Sequence, residues 1–194
     1  LSTSGTAPAH YLPAVIEASA TGCPLVLITA DRPHELVHCG APQTIEQTRL
    51  FDGTVRHAVD LGNPDSRVAA LRGAYRRVEQ AVSLALGPRP GPVHVNARAA
   101  KPLEPSAPTT PAGRDAARVA AELTAGAARV VPAPPRLQPS EASVAALAAR
   151  LARAERGLIV CGALSPAQAP PPELVGRLAR RLGFALACET TSQL

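Results

Sequence analysis

Thr3-Ser4-Gly5-Thr6-Ala7, then Pro24-Leu25-Val26-Leu27-Ile28-Thr29 running into Ala30-Asp31-Arg32-Pro33, is the stretch that decides the fold. A turn of small residues leads into an apolar helix expected over residues 8–20. Pro8 suits its first turn, where a missing N–H costs nothing, and Gly22 suits its left-handed end. Pro13 sits less comfortably, as a kink or as the true start. The unbroken apolar run 25–30 reads as a strand covered on both faces, the mark of a parallel sheet. Charged side chains appear at once where that strand ends, and Cys39-Gly40-Ala41-Pro42-Gln43 follows in a loop. Turn, helix, strand and charged loop in this order build a ligand site at the carboxyl ends of strands in an α/β domain.

Outward from there the same grammar repeats. Residues 44–51 suggest a short helix and 55–61 a second strand. Asn63-Pro64 suggests a helix start, with Val68, Leu71, Tyr75, Val78, Val82 and Leu86 at helical spacing behind it. Gly87 to Pro92 breaks the helix, and Val93-His94-Val95-Asn96 is a strand, so β-α-β order predicts a parallel sheet. Residues 98–139 turn rich in proline and small residues, which reads as an extended linker with one short helix near 114–123. A second β-α-β unit begins at Ser140, a helix cap, and runs through the strand Gly157-Leu158-Ile159-Val160-Cys161, a helix within 170–182 and the strand 184–188. Leu1-Ser2-Thr3 reads as the end of a strand and 189–194 as a strand exit, so the chain is expected to be an internal piece of a larger protein.

With 194 residues and 46% hydrophobic content, one or two packed domains can form. Two Phe, two Tyr and no Trp or Met leave the core to Val, Leu, Ile and Ala. The net charge of +5 comes from scattered arginines and one lysine, Lys101, without interleaved aromatics. That pattern argues against a nucleic-acid partner and is compatible with anionic small molecules. Cys23, Cys39, Cys161 and Cys188 form no C-x-x-C pair; Cys23, Cys161 and Cys188 are expected as small buried hydrophobes in a reducing, cytoplasmic setting. No run of about 18 apolar residues and no leader pattern stands out, so no membrane partner is expected.

Several residues carry candidate chemistry. Thr3, Ser4, Gly5 and Thr6 read equally as an anion cradle and as a plain capping turn; no Gly-Lys-Ser/Thr follows, so this is not a P-loop. Arg32 offers a planar fork to a carboxylate at a strand's carboxyl end. Alternatively it forms a surface pair with Asp31, worth under about 1 kcal/mol. Gln43 suits a substrate carbonyl or carboxylate, or is a solvated loop residue. His57 and His94 read as packing residues on strands. His34 and His38 lack a third metal ligand. Gly157 to Gly162 lacks the later glycines of a dinucleotide fingerprint.

Thr3-Ser-Gly-Thr-Ala7, Pro13-Ala-Val-Ile-Glu-Ala18, Pro24-Leu-Val-Leu-Ile-Thr-Ala-Asp-Arg-Pro33, Glu35-Leu36, Cys39-Gly-Ala-Pro-Gln43 and Gly91-Pro-Val-His-Val-Asn96 together closely resemble the MenD family. Its members are thiamine-diphosphate-dependent 2-succinyl-5-enolpyruvyl-6-hydroxy-3-cyclohexene-1-carboxylate synthases of menaquinone biosynthesis. The resemblance implies a parallel-sheet thiamine-diphosphate-binding fold. Residues 1–103 would be the later part of a pyrimidine-binding domain, 104–138 a Pro-rich linker, and 139–194 the start of a Rossmann-like central domain. It implies a reaction that decarboxylates 2-oxoglutarate on thiamine diphosphate and adds the succinyl unit to isochorismate, with Mg²⁺ or Mn²⁺, in a homodimer or homotetramer. Another thiamine-diphosphate carboligase and a non-catalytic truncated α/β module are the alternatives. By position, Arg32 and Gln43 match substrate-contacting residues, and Thr3, Ser4, Gly5 and Thr6 match the turn beside the active centre. In the family that turn faces aminopyrimidine and substrate rather than the diphosphate. No catalytic acid or base and no metal ligand is assigned within this chain. The family's activating Glu precedes the turn and its Gly-Asp-Gly to Asn metal motif lies beyond, so the piece alone is expected to be inactive. Two departures stand out: the family carries Asn where this chain has Pro42 and His10.

Overall fold

The computed structural model describes residues 1–104, 106–125, 137–164 and 169–192, and the chain divides into two compact units, Leu1–Pro135 and Arg136–Leu194. The first unit is built on a three-stranded parallel sheet in the order β1 (Leu25–Asp31), β3 (Pro92–Arg98), β2 (His57–Asp60). Ser2 adds a parallel bridge to Thr29 on the free edge of β1, its N–H donating to Ile28 O and its carbonyl accepting from Ala30 N. The strand-end reading of Leu1-Ser2-Thr3 thus has a physical counterpart.

The turn leads into a 3-10 helix, Ala7–Tyr11, and then into α1 (Leu12–Thr21), so the proline at position 13 falls in the first helical turn, where it is harmless. Gly22 closes α1 in the left-handed conformation. α1 and the loop 44–56 cover one face of the sheet, burying Val15, Leu27 and Phe51 together. Each such side chain taken fully out of water contributes about 1.5–3 kcal/mol. α2 (Val68–Leu86) covers the other face, where Ala81 and Ala85 let it approach Val93 and Val95 closely. That cover reaches β2 and β3 more than β1. Val26 and Ile28 are more than a third exposed, so β1 is not covered on both faces as the apolar run suggested. α3 (Pro111–Thr124) is capped by Thr110, whose Oγ1 accepts from Gly113 N, and it packs on α2.

Two local expectations fail. Residues 44–47 are irregular and 48–54 form turns rather than a helix: Leu50 N bonds Gln47 O and Val55 N bonds Phe51 O, but no helical ladder connects them. Asn63 does not cap α2. Its Oδ1 accepts from His34 N and its Nδ2 donates to Glu35, tying two loops together, and the helix starts five residues later.

The second unit holds α4 (Glu141–Ala152), β4 (Leu158–Cys161), α5 (Pro172–Leu182) and β5 (Ala185–Cys188), with β4 and β5 parallel. Ser140 caps α4 as expected, its Oγ accepting from Ser143 N. Three cysteines depart from expectation: Cys23 and Cys188 are exposed and Cys161 is half-buried. No helix among the described residues is long and apolar enough to cross a membrane.

Candidate active site

The carboxyl ends of β1 and β3 deliver Asp31 and Arg98 side by side, and β2 delivers Asp60. Arg98 sits between the two carboxylates: Nη1 lies 3.0 Å from Asp31 Oδ2, and Nη2 and Nε lie 2.6 and 2.9 Å from Asp60 Oδ2. Arg98 Nη1 also donates to the Arg32 carbonyl at 2.7 Å, while Asp31 Oδ1 accepts from Arg32 N at 2.8 Å. Burial pushes the Asp60 carboxyl up, but hydrogen bonds from Arg98, Gly62 N and Asn96 together with the Arg98 charge outweigh it and hold it below the usual carboxylate range.

Two residues back along β1 and β3, a second layer is buried. Asn96 Nδ2 donates to Asp31 and Asp60, which fixes which way its amide points. Its Oδ1 therefore faces Thr29 Oγ1 at 2.9 Å and Gln47 Nε2 at 3.1 Å. Thr29 Oγ1 also meets His94 Nε2 at 2.8 Å, and the His94 ring stands edge-on to Phe51. His94 is thus a packing residue, as its place on a strand suggested. Burial pushes its pKa down despite the pull of Asp60, Asp31 and Asp52.

The turn lies above this layer. Gly5 adopts φ +84°, and a Cβ there would stand 2.8 Å from Gln43 Cγ. Gln43, itself left-handed at φ 58°, folds over the turn, its Nε2 donating to Thr3 Oγ1 at 2.9 Å and Ser4 O at 3.2 Å. From beneath, Gln47 Oε1 accepts from Gly5 N at 2.7 Å. Thr3, Ser4, Gly5, Thr6 and Gln43 line a cavity of about 370 Å³. The Gly5 amide is directed inward to Gln47, so it is not offered to an anion, and the helix that follows is a five-residue 3-10 turn. The cavity presents hydroxyls and one free amide oxygen, which suits an uncharged ring edge or a substrate hydroxyl better than a phosphate.

Arg32 does not line that cavity. It leaves the same end of the sheet, and its guanidinium makes no hydrogen bond or ion pair among the described residues. The expected alternative, a surface pair with Asp31, is overturned, because Asp31 is buried and pairs with Arg98. The structure therefore brings Thr3, Ser4, Gly5, Thr6 and Gln43 together and sets Arg32 apart as a free cation on a fixed backbone. Sequence reasoning missed Gln47, Asn96, Arg98 and Asp60. Only the strand position of Asn96 gave a signal. Among the described residues no group of three His, Cys, Asp or Glu side chains is placed to hold a metal ion.

No family profile matches the chain. Curated relatives do, among them proteins described as 2-succinyl-5-enolpyruvyl-6-hydroxy-3-cyclohexene-1-carboxylate synthase. That of Sorangium cellulosum (strain So ce56) is 49% identical over 197 residues, covering 99% of this chain and 31% of the relative. That of Geobacillus thermodenitrificans (strain NG80-2) is 43% identical over 195 residues, again 99% and 31%. The chain thus spans about a third of the length of the relatives it matches. A solved structure described as that of a thiamin diphosphate-dependent enzyme isolated from Mycobacterium smegmatis superposes with a TM-score of 0.65 at 16% identity, over 97% of this chain and 32% of that one. This likeness establishes the fold: an α/β, parallel-sheet arrangement of the thiamine-diphosphate-enzyme type.

Proposed function

We propose that this chain is a segment of a MenD-family protein, spanning about a third of the length of the relatives it matches, and that it forms one part of an active centre joining the succinyl unit of 2-oxoglutarate to isochorismate. The observation that carries the reading is identity of 49% along 99% of the chain to a synthase of that description. The Thr3–Thr6 turn, Arg32 and Gln43 stand at one end of one sheet, which is consistent with it.

Thiamine diphosphate, when bound, supplies the electron sink for decarboxylation and carbon–carbon bond formation. The turn fits the cofactor's uncharged face: its hydroxyls are neutral, and the lack of a Cβ at Gly5 lets Gln43 close over the turn. The diphosphate and its Mg²⁺ or Mn²⁺ find no matching ligands among the described residues and are assigned to other parts of the enzyme. Arg32 is proposed to take a substrate carboxylate. Its backbone is held at both ends by Asp31 and Arg98, so only side-chain freedom is lost on binding. Gln43 spends both amide hydrogens on Thr3 and Ser4, so it offers Oε1, an acceptor for a substrate hydroxyl. The turn and Gln43 wall one side of the reacting centre and exclude water there. The remaining walls, the activating carboxylate, a homo-oligomeric assembly and a cytoplasmic location belong to the same proposal.

The test is an assay of the complete protein encoded by the reading frame that carries these residues, with thiamine diphosphate, Mg²⁺, 2-oxoglutarate and isochorismate. Formation of the cyclohexene carboxylate product is expected. Carbon dioxide release from a different 2-oxo acid, with none from 2-oxoglutarate, would overturn the reading.

A further inference from the structure

The Ser4–Gly5 peptide group is held at both of its ends by two glutamines of one loop. Gln43 Nε2 donates to the Ser4 carbonyl at 3.2 Å, and Gln47 Oε1 accepts from the Gly5 N–H at 2.7 Å. A trans peptide is planar, with its N–H and C=O pointing in opposite directions, so a bond at each end fixes the rotation of that plane. We propose that Gln47 is a positioning residue: it sets the Ser4–Gly5 peptide and through it the hydroxyl-bearing wall of the active centre, a role that rests on the functional reading above.

Gln47 is fully buried, and burying an amide is favourable only when each of its polar atoms is satisfied. Here they are, in only one orientation. Nε2 donates to Ala30 O at 2.9 Å and to Asn96 Oδ1 at 3.1 Å, leaving Oε1 to face Gly5. Asn96 cannot reverse its own amide without setting Oδ1 against Asp31 and Asp60. A chain of fixed orientation thus runs from the Arg98 ion-pair cluster through Asn96 and Gln47 to the turn. An apolar side chain at position 47 would fill the space but leave the Gly5 N–H, the Ala30 carbonyl and one Asn96 acceptor without partners. A wholly apolar core would serve stability as well, so the aim of this network is the turn's geometry.

The experiment compares Gln47→Leu and Gln47→Glu with the parent in the complete protein, by hydrogen exchange of the peptide carrying Gly5, with the β3 amides as control, and by kcat and KM. In Gln47→Leu, Gly5 exchange is expected to rise about tenfold or more, as for loss of one well-formed hydrogen bond. β3 should keep its protection, and kcat should fall by a similar factor with KM little changed. Gln47→Glu gives a signature that packing alone does not. As the neutral acid it accepts from Gly5 and donates to Ala30 or Asn96. Once ionised it has no proton to give, so its kcat should fall with rising pH where the parent's does not. Unchanged Gly5 exchange and kcat in Gln47→Leu would overturn the proposal, as would equal loss of protection in β3, which would mark general destabilisation. If the parent makes no product from 2-oxoglutarate and isochorismate, the functional reading fails, and Gly5 exchange still decides the clamp.

Discussion

Asp31 and Arg98 are register partners at the carboxyl ends of β1 and β3, and their side chains meet as an ion pair at 3.0 Å with almost no exposure, 1% and 4%. Arg98 also serves Asp60, so one guanidinium is shared by two carboxylates. Removing the cation would strand both. Arg98→Met is therefore expected to destabilise the fold by about 3–5 kcal/mol, measured by chemical denaturation. A change below about 1 kcal/mol would mean that water reaches the cluster.

The same cluster sets an acid limit. Asp60 is held below its ordinary 3.8 in the folded state. A group whose folded pKa is depressed contributes stability above the unfolded value and loses it as pH falls through the folded one. Below about pH 3.8 stability should decline, and Asp60→Asn should be less stable than the parent at pH 7 but flatter across that window.

His94 acts earlier. It is buried, its Nδ1 has no partner and burial lowers its pKa from 6.5, so the unfolded chain takes up the proton first. Stability should then fall as pH drops below about 6.5, by at most about 1.4 kcal/mol per pH unit for one proton. His94→Phe, which keeps a ring beside Phe51, should remove that slope while the Asp60 window stays. A parent curve flat from pH 7 to 5 would contradict the burial argument.

How much of this was legible beforehand follows from range. β1, α1, α2, β3 and the cap at Ser140 were readable because periodicity, proline and caps act within a few residues. The misread helix at 44–51 has a local cause: Gln47 and Phe51 stand four apart and both point inward, which mimics a helical face, yet turns bring them there. Gln47 meets Asn96 across 49 residues and Arg98 meets Asp60 across 38, and no spacing rule reaches so far. Arg98 looked like the first residue of a linker, when it is the electrostatic centre of the strand ends.

Cys161 and Cys188 are register partners on β4 and β5, and burial together with the neighbouring Cys188 pushes the Cys161 thiol up. Neighbouring strands lie about 4.8 Å apart, inside the roughly 4.4–6.8 Å Cα window of a disulfide. Treatment with oxidised glutathione should remove both thiols from one chain, forming one S–S bond as two glutathione thiols are released. Intact mass would read this as loss of two hydrogens. A mixed disulfide persisting on Cys188, or cross-linked dimers instead, would show that the strands cannot close the bond.

Arg32 gives the sharpest test of substrate reading. Its guanidinium has no partner to lose among the described residues, so Arg32→Ala should leave thermal stability within the usual surface range of about 0.5 kcal/mol. Its effect should fall on substrate: in the complete protein, KM for a dicarboxylate should rise about tenfold or more, the loss of a charge-assisted hydrogen bond. Arg32→Lys keeps the charge but not the fork, so it should recover part of that loss and not all of it. If Arg32→Ala instead unfolds the protein, its role is structural. If KM and kcat both stay at parent values, the free cation at the end of β1 is a solvated surface residue, and the carboxylate is bound elsewhere.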